Sequence, residues 1–155
     1  MEFWMFDTPL GEMALGEEDG KIVRLYLPGQ PVPRLMPHKT PLLERAEGQI
    51  LEYLKGERQV FDLPLAPVGT PFRQQVWQAL REIPWGETRS YGELAEQIGR
   101  PGAARAVGMA NRSNPIPILI PCHRIIGADG SLTGYAGGME LKRTLLGLEG
   151  VNFPR

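Results

Sequence analysis

The chain contains one cysteine and two histidines, His38 and His123, in 155 residues. A single thiol cannot form an internal disulfide, and a cysteine-based zinc site would need several thiolates and imidazoles. No metal site is therefore expected, and a lone thiol suits a reducing, cytoplasmic setting. Long apolar runs are scarce. Ile116–Ile120, interrupted and bounded by prolines, is far too short to span a bilayer, so no membrane partner is expected. Met1-Glu2-Phe3-Trp4 has neither the basic start nor the apolar stretch of a secretory signal. No internal repeat or low-complexity tract occurs. The apolar (42%) and charged (23%) fractions are those of a folded chain, long enough for one core or two small packed subdomains.

Acidic residues are also missing from one long stretch. None lies between Glu96 and Asp129, where Arg100, Arg105, Arg112 and Arg124 all fall. The net charge of −1 argues against a general nucleic-acid coat, but it hides an uneven distribution. Residues 1–69 carry 7 Lys and Arg against 11 Asp and Glu; residues 70–155 carry 10 against 7. A basic patch on a near-neutral protein fits a modest DNA contact. A solvated arginine-rich face has the same pattern, and charge alone does not separate them.

Turn signals and periodicity divide the chain in two. Phe3–Thr8, Met13–Glu17 and Ile22–Leu27 read as strands, separated by Pro9-Leu10-Gly11 and Asp19-Gly20. Leu42, Ala46, Ile50 and Leu54 recur every four residues, marking an amphipathic helix that Gly56 can close. A short strand is expected around Val60–Leu63, then a linker over Pro64–Gly69. Domains are accordingly expected at 1–66, an α/β subdomain, and 67–155, mainly helical. Thr70-Pro71 starts a helix whose apolar face is Phe72, Val76, Ala79, Leu80 and Ile83. Ser90-Tyr91-Gly92-Glu93 is a capping box for a helix running to about Ile98. After Gly99, a second helix over Gly102–Asn111 completes a plausible helix-turn-helix. Its residues Ala103, Ala104, Ala106, Gly108 and Ala110 are small, with Arg105 alone among them. Such a helix can pack tightly on a neighbour or let another surface approach its backbone.

The only thiol, Cys122, precedes His123 and Arg124 in an apolar, proline-stiffened segment, Asn114–Ile126. Buried cysteines are usually small hydrophobes. A nucleophilic one needs a base or positive charge nearby. In extended chain, adjacent side chains point apart, so His123 would act on Cys122 through a water or a turn.

Pro121-Cys122-His123-Arg124-Ile125 resembles the active-site motif of the O6-alkylguanine-DNA alkyltransferases. The similarity runs in order through Gly69-Thr70-Pro71-Phe72, Val76-Trp77, Ile83–Leu94, Ala103–Gly108, Asn114–Ile118, Gly134–Gly138 and Leu148-Glu149-Gly150. It spans the C-terminal half and is loose before it, chiefly at Thr8–Gly11. The resemblance implies a ribonuclease-H-like sheet in the first subdomain and a helix-turn-helix in the second. It also implies single-use transfer of an alkyl group from O6-alkylguanine, with O4-alkylthymine a further substrate, in double-stranded DNA to Cys122 after base flipping, with no cofactor, since the product is a thioether on Cys122. No obligate protein partner is implied, and the protein would be a monomer. By the same resemblance, His123 takes the thiol proton through a water, Glu149 orients His123, and Asn114 orders the reactive segment. Arg105 fills the stack vacated by the flipped nucleotide, and Tyr91 meets its phosphate and base. Ala104, Ala106, Arg112 and Arg124 lie on the DNA side. Ile125, Tyr135, Ala136, Gly137 and Asn111 form the base pocket.

Three departures stand out. A zinc site carried by some members is absent with one cysteine. Ala136 stands where relatives often have serine, and Asn111 where methionine can occur. The competing readings are a non-enzymatic lesion-binding relative, which the presence of Cys122 disfavours, and a cysteine hydrolase, which leaves Arg105 and Tyr91 unused. A plain helix-turn-helix regulator has no effector or dimerisation segment to support it.

Overall fold

Two tight turns organise the first strands. In the computed structural model, which describes residues 1–151, β1 (Glu2–Thr8), β2 (Gly11–Glu18) and β3 (Lys21–Tyr26) form an antiparallel sheet in the order β1-β2-β3. Thr8 pairs with Gly11 across Pro9-Leu10, and the Thr8 hydroxyl both accepts from Leu10 N and donates to the Gly11 carbonyl. The second turn has positive φ at both central residues, Asp19 (51°) and Gly20 (76°). That geometry matches the twist of the strands it joins and favours Asp-Gly. Helix α1 (Pro41–Leu54) is capped by the Thr40 hydroxyl, and buries Leu43, Ala46, Ile50 and Tyr53. Phe3, Phe6, Met13, Leu15, Ile22 and Leu25 supply the sheet's share of the core.

The strand expected around Val60–Leu63 does not form. The backbone of Asp62 bonds to side chains of α1 instead: its N–H donates to Gln49 Oε1 (2.9 Å) and its carbonyl accepts from Arg45 and Gln49. Pairing begins later and briefly, where Ile22 N donates to Pro64 O and Ala66 N donates to Ile22 O, both at 2.8 Å. Part of the expected linker is thus held against the edge of β3. The two compact units of the chain divide between Val68 and Gly69.

In the second unit, the Thr70 hydroxyl caps α2 (Pro71–Arg81). Helix α3 (Tyr91–Gln97) has a complete capping box, Glu93 N to Ser90 Oγ (3.1 Å) and Ser90 N to Glu93 Oε1 (2.8 Å). Gly99, at φ 77°, ends that helix, and α4 (Ala104–Arg112) follows with no side-chain cap. Two features were not anticipated: a parallel pair of two-residue strands, β4 (Arg89–Ser90) and β5 (Ile125–Ile126), and helix α5 (Met139–Leu148). Two residues carry no periodicity, while α5 lacks a capping side chain and has a lysine in its apolar stripe. Among the described residues the first unit is thus a three-stranded sheet with one α-helix, and the second four α-helices with a two-stranded parallel pair. Among the described residues no helix is long and apolar enough to cross a membrane.

The capping box sets where α3 starts and hence where Tyr91 stands. Ser90→Ala should cost about 1 kcal/mol of stability, read from urea unfolding. An unchanged midpoint would mean that the β4–β5 pair alone holds this end.

Candidate active site

The chain before Cys122 is held in a tight, strained turn. Asn114 makes both ends of it fast: its Oδ1 accepts from Ile116 N and its Nδ2 donates to Ile120 O, each at 2.9 Å. Ile120 N returns to Ile116 O (2.9 Å), and Ile118 between them has φ 72°. A β-branched residue in the left-handed region costs on the order of 1–3 kcal/mol and persists only when its surroundings dictate it. Burial of Ile116, Ile118 and Ile120 provides that constraint.

Cys122–Arg124 then form a single 3₁₀ turn. Arg124 N bonds to Pro121 O (3.0 Å). Three consecutive side chains consequently go inward: Cys122 is 2% exposed, His123 0% and Arg124 6%. His123 Nε2 lies 2.8 Å from Glu149 Oε2. Arg124 donates to both Glu149 oxygens (2.9 and 3.0 Å) and to the Ile83 carbonyl (2.6 Å). Gly86 N adds a fourth donor to Glu149 Oε1 at 3.2 Å. The expectation that Arg124 contacts DNA is therefore corrected. Its guanidinium is buried and spent on Glu149 and Ile83, where it offsets the charge of the carboxylate that orients His123.

Burial raises the Cys122 thiol to about 11, opposed by a hydrogen bond from Asn114, the charge of Lys142, a backbone hydrogen bond and Tyr135. Asn111, also buried, donates to the Cys122 carbonyl (3.3 Å). Lys142 is the functional candidate that the sequence reading missed. It is fully buried on α5, donates to the carbonyls of Ile125 (2.5 Å) and Thr133 (3.1 Å), and is depressed to about 8 by burial, with Cys122 pulling it back up. Its signal was present in the chain. Lys142 precedes Leu145 and Leu146 by three and four residues, which puts a cation on the apolar face.

The structure thus gathers Cys122, His123, Asn111, Asn114, Glu149, Ile125 and Tyr135 around the 3₁₀ turn. Ala136 is exposed and Gly137 half-buried, in the turn closed by Gly138 N to Tyr135 O (2.9 Å). Arg105, Ala106 and Arg112 lie elsewhere, on the exposed face of α4, and Ala104 is half-buried. Beside that face a shallow groove of about 290 Å³ is lined by Tyr91, Ala104, Arg105, Gly108, Met109, Arg112 and Thr133. The Tyr91 hydroxyl is 2.5 Å from Thr133 Oγ1, tying α3 to the loop before Tyr135. The small residues of α4 serve two ends, since Ala110 is buried and Ala106 is open. Among the described residues no three of His, Cys, Asp and Glu are grouped to hold a metal.

His123 makes stability depend on pH. Burial lowers its imidazole below the ordinary 6.5, outweighing the upward pull of Glu149. The unfolded chain therefore binds a proton near that pH that the folded chain refuses. Stability should be fullest above it and fall as the pH drops through it, by at most ~1.4 kcal/mol per pH unit. Urea midpoints measured from about pH 7.5 to about pH 5.5 test this against His123→Gln; identical slopes would place the titration elsewhere.

The sequence model of the family described as "6-O-methylguanine DNA methyltransferase, DNA binding domain" matches residues 71–151. The constitutive methylated-DNA–protein-cysteine methyltransferase of Bacillus subtilis is 47% identical over 155 residues, 95% of this chain and 94% of that protein. The corresponding Mycobacterium tuberculosis protein is 50% identical over 146 residues, 92% and 88% of the two chains. Among solved structures, Mycobacterium tuberculosis OGT in complex with DNA superposes with a TM-score of 0.90 at 47% identity, covering 96% of this chain and 92% of that one. With a matched family model over its C-terminal half and such identity along its length, the chain belongs to the methylated-DNA–protein-cysteine methyltransferase family.

Proposed function

We propose that this protein repairs alkylated DNA by direct reversal, moving the alkyl group from O6 of guanine onto Cys122 in one irreversible turnover. The observation that carries the reading is the setting of the single thiol. It is buried against Asn114 and Lys142, directly before a His123–Glu149–Arg124 cluster. Names and structures of relatives over 90% of the chain point the same way.

The chemistry is a displacement at carbon. The Cys122 proton passes to His123, through one water, and Glu149 stabilises the imidazolium that results. Lys142 offsets the cost of a buried thiolate, which desolvation otherwise makes high. Sulfur bonds to the alkyl carbon as the carbon–O6 bond breaks, and its electron pair leaves with guanine, which takes up a proton. The thioether has no charge and no good leaving group, so the protein is spent.

O6 lies inside the duplex, so the nucleotide must be extruded first, at a cost of a few kcal/mol. In this reading α3 and α4 act as a helix-turn-helix, and Arg105 fills the vacated stack. The Tyr91 hydroxyl exchanges Thr133 for the target's phosphate or base. The base is then read by backbone groups near Cys122, Ile125 and Ala136, between Tyr135 and Asn111, with Gly137 leaving room for the alkyl group. Residues 67–155 are the DNA-binding and alkyl-acceptor part, and 1–66 a ribonuclease-H-like companion, a suggestion supported by three antiparallel strands followed by a helix. The protein acts as a cytoplasmic monomer without cofactor, in keeping with its single free thiol.

Intact-mass measurement after mixing with an O6-methylguanine oligonucleotide should show one added methyl, mapping to Cys122. Cys122→Ala should retain duplex binding and gain nothing; continued clearance of the lesion by this variant would remove Cys122 from the mechanism. Arg105→Ala should slow repair of duplex DNA on the order of tenfold or more, in line with the extrusion cost. Its reaction with free O6-benzylguanine should fall much less, whereas equal slowing of both would assign Arg105 to the fold.

A further inference from the structure

Among the described residues from Gly69 onward, Met109 is the large hydrophobic side chain most open to solvent, at 64% exposure. Its place on α4 is specific. Arg105, Met109 and Arg112 follow one another at i, i+4 and i+7, a single exposed stripe, while Val107, Ala110 and Asn111 bury the opposite face. A thioether therefore sits between two guanidiniums, beside the shallow groove lined by Tyr91, Gly108 and Thr133.

Charge identifies the occupant. The sequence has no carboxylate between Glu96 and Asp129, so this segment brings no anion to its own arginines. A surface that covers the stripe must offer negative groups at its edges and carbon in its centre. A nucleic-acid duplex does so. The small residues Ala104, Ala106 and Gly108 beside the stripe allow the close approach that its narrower groove demands, the minor groove, where phosphates form the rims and deoxyribose and base edges line a cleft about 6 Å wide. Proteins that work from this groove commonly place apolar side chains against sugars and base steps.

We propose that Met109 is an apolar minor-groove contact, packing against deoxyribose and base edges about two base-pair steps from the extruded nucleotide. The distance follows from geometry. Four residues of helix rise about 6 Å from Arg105, and base pairs are spaced about 3.4 Å apart. Met109 holds the groove against α4 while Arg105 occupies the stack, and Arg112 meets the phosphate rim. Being unbranched and polarizable, the side chain fits grooves of different local width, which suits a protein that must accept any sequence around the lesion. The inference rests on the repair reading above and adds to it a residue that grips DNA without charge.

Four proteins test it: the unsubstituted chain, Met109→Ala, Met109→Leu and Arg112→Ala, each titrated with a fluorescent duplex carrying O6-methylguanine over a range of salt. Removing a buried methionine side chain should weaken duplex binding by about tenfold or more. An apolar contact neutralises no phosphate, so the log–log salt slope of Met109→Ala should match that of the unsubstituted chain. Arg112→Ala should make the slope shallower by about one. Met109→Leu should restore most of the loss, and the ratio of duplex repair to free O6-benzylguanine reaction should fall in Met109→Ala. Unchanged duplex affinity in Met109→Ala, an altered salt slope, or an equal fall in duplex and free-base rates would each overturn the proposal. Failure of the unsubstituted chain to take up a methyl group would instead overturn the repair reading itself.

Discussion

A carboxylate cut off from water must find a donor for each of its lone pairs, and Glu149 has four: His123, two nitrogens of Arg124 and the Gly86 backbone. Burying a charge costs several kcal/mol unless geometry of this quality offsets it. Everything near the thiol depends on that satisfaction. Glu149 stands at the C-cap of α5, Arg124 in the 3₁₀ turn, and Gly86 in the turn after α2, so one side chain joins three separate stretches of chain. It also engages one particular ring nitrogen of His123, Nε2. Arg124 reaches past it to the Ile83 carbonyl and closes the cluster.

The same burial that makes this cluster strong makes Cys122 reluctant. Burial pushes its thiol up to about 11, so that little of it is ionised near neutral pH. Lys142 and Asn114 lower the cost of the thiolate without abolishing it. The strain at Ile118 belongs to the same economy of placement: a disfavoured backbone conformation is held by three buried isoleucines and the Asn114 carboxamide, and it aims the next turn inward.

Helix α4 divides its residues between two tasks. Ala110 and Asn111 face the interior, where the Ala110 carbonyl accepts from the Trp77 indole (2.8 Å) and Asn111 supports the Cys122 backbone. Arg105, Ala106, Met109 and Arg112 face outward. The inner face couples the helix to the reactive turn, so a surface docked on the outer face is only one helix thickness from the chemistry.

Local elements were legible in the sequence because local forces decide them. Thr70 and Ser90 with Glu93 announced two helix starts, Asp19-Gly20 a hairpin, and Leu42, Ala46, Ile50 and Leu54 an amphipathic helix, of which Ala46 and Ile50 prove fully buried, since caps, turns and amphipathic stripes act within a few residues. The motif around Cys122 singled out its thiol, and Glu149 could be paired with His123 by resemblance. Charge counting saw four arginines as one patch and could not tell Arg124 from the rest. Its burial is settled by Glu149, 25 residues away, and by Ile83, 41 residues away. The partners of Lys142 were hidden for the same reason, because the two carbonyls and the thiol come together only when α5 packs beside the 3₁₀ turn. The strand expected at Val60–Leu63 gave way to side chains of α1 reaching Asp62, a competition between hydrogen-bond partners that no local pattern contains. The sequence by itself determined the hairpin, most of the helices and the place of the lone thiol; only tertiary structure decided which charges are buried and which face outward, because their partners lie tens of residues away.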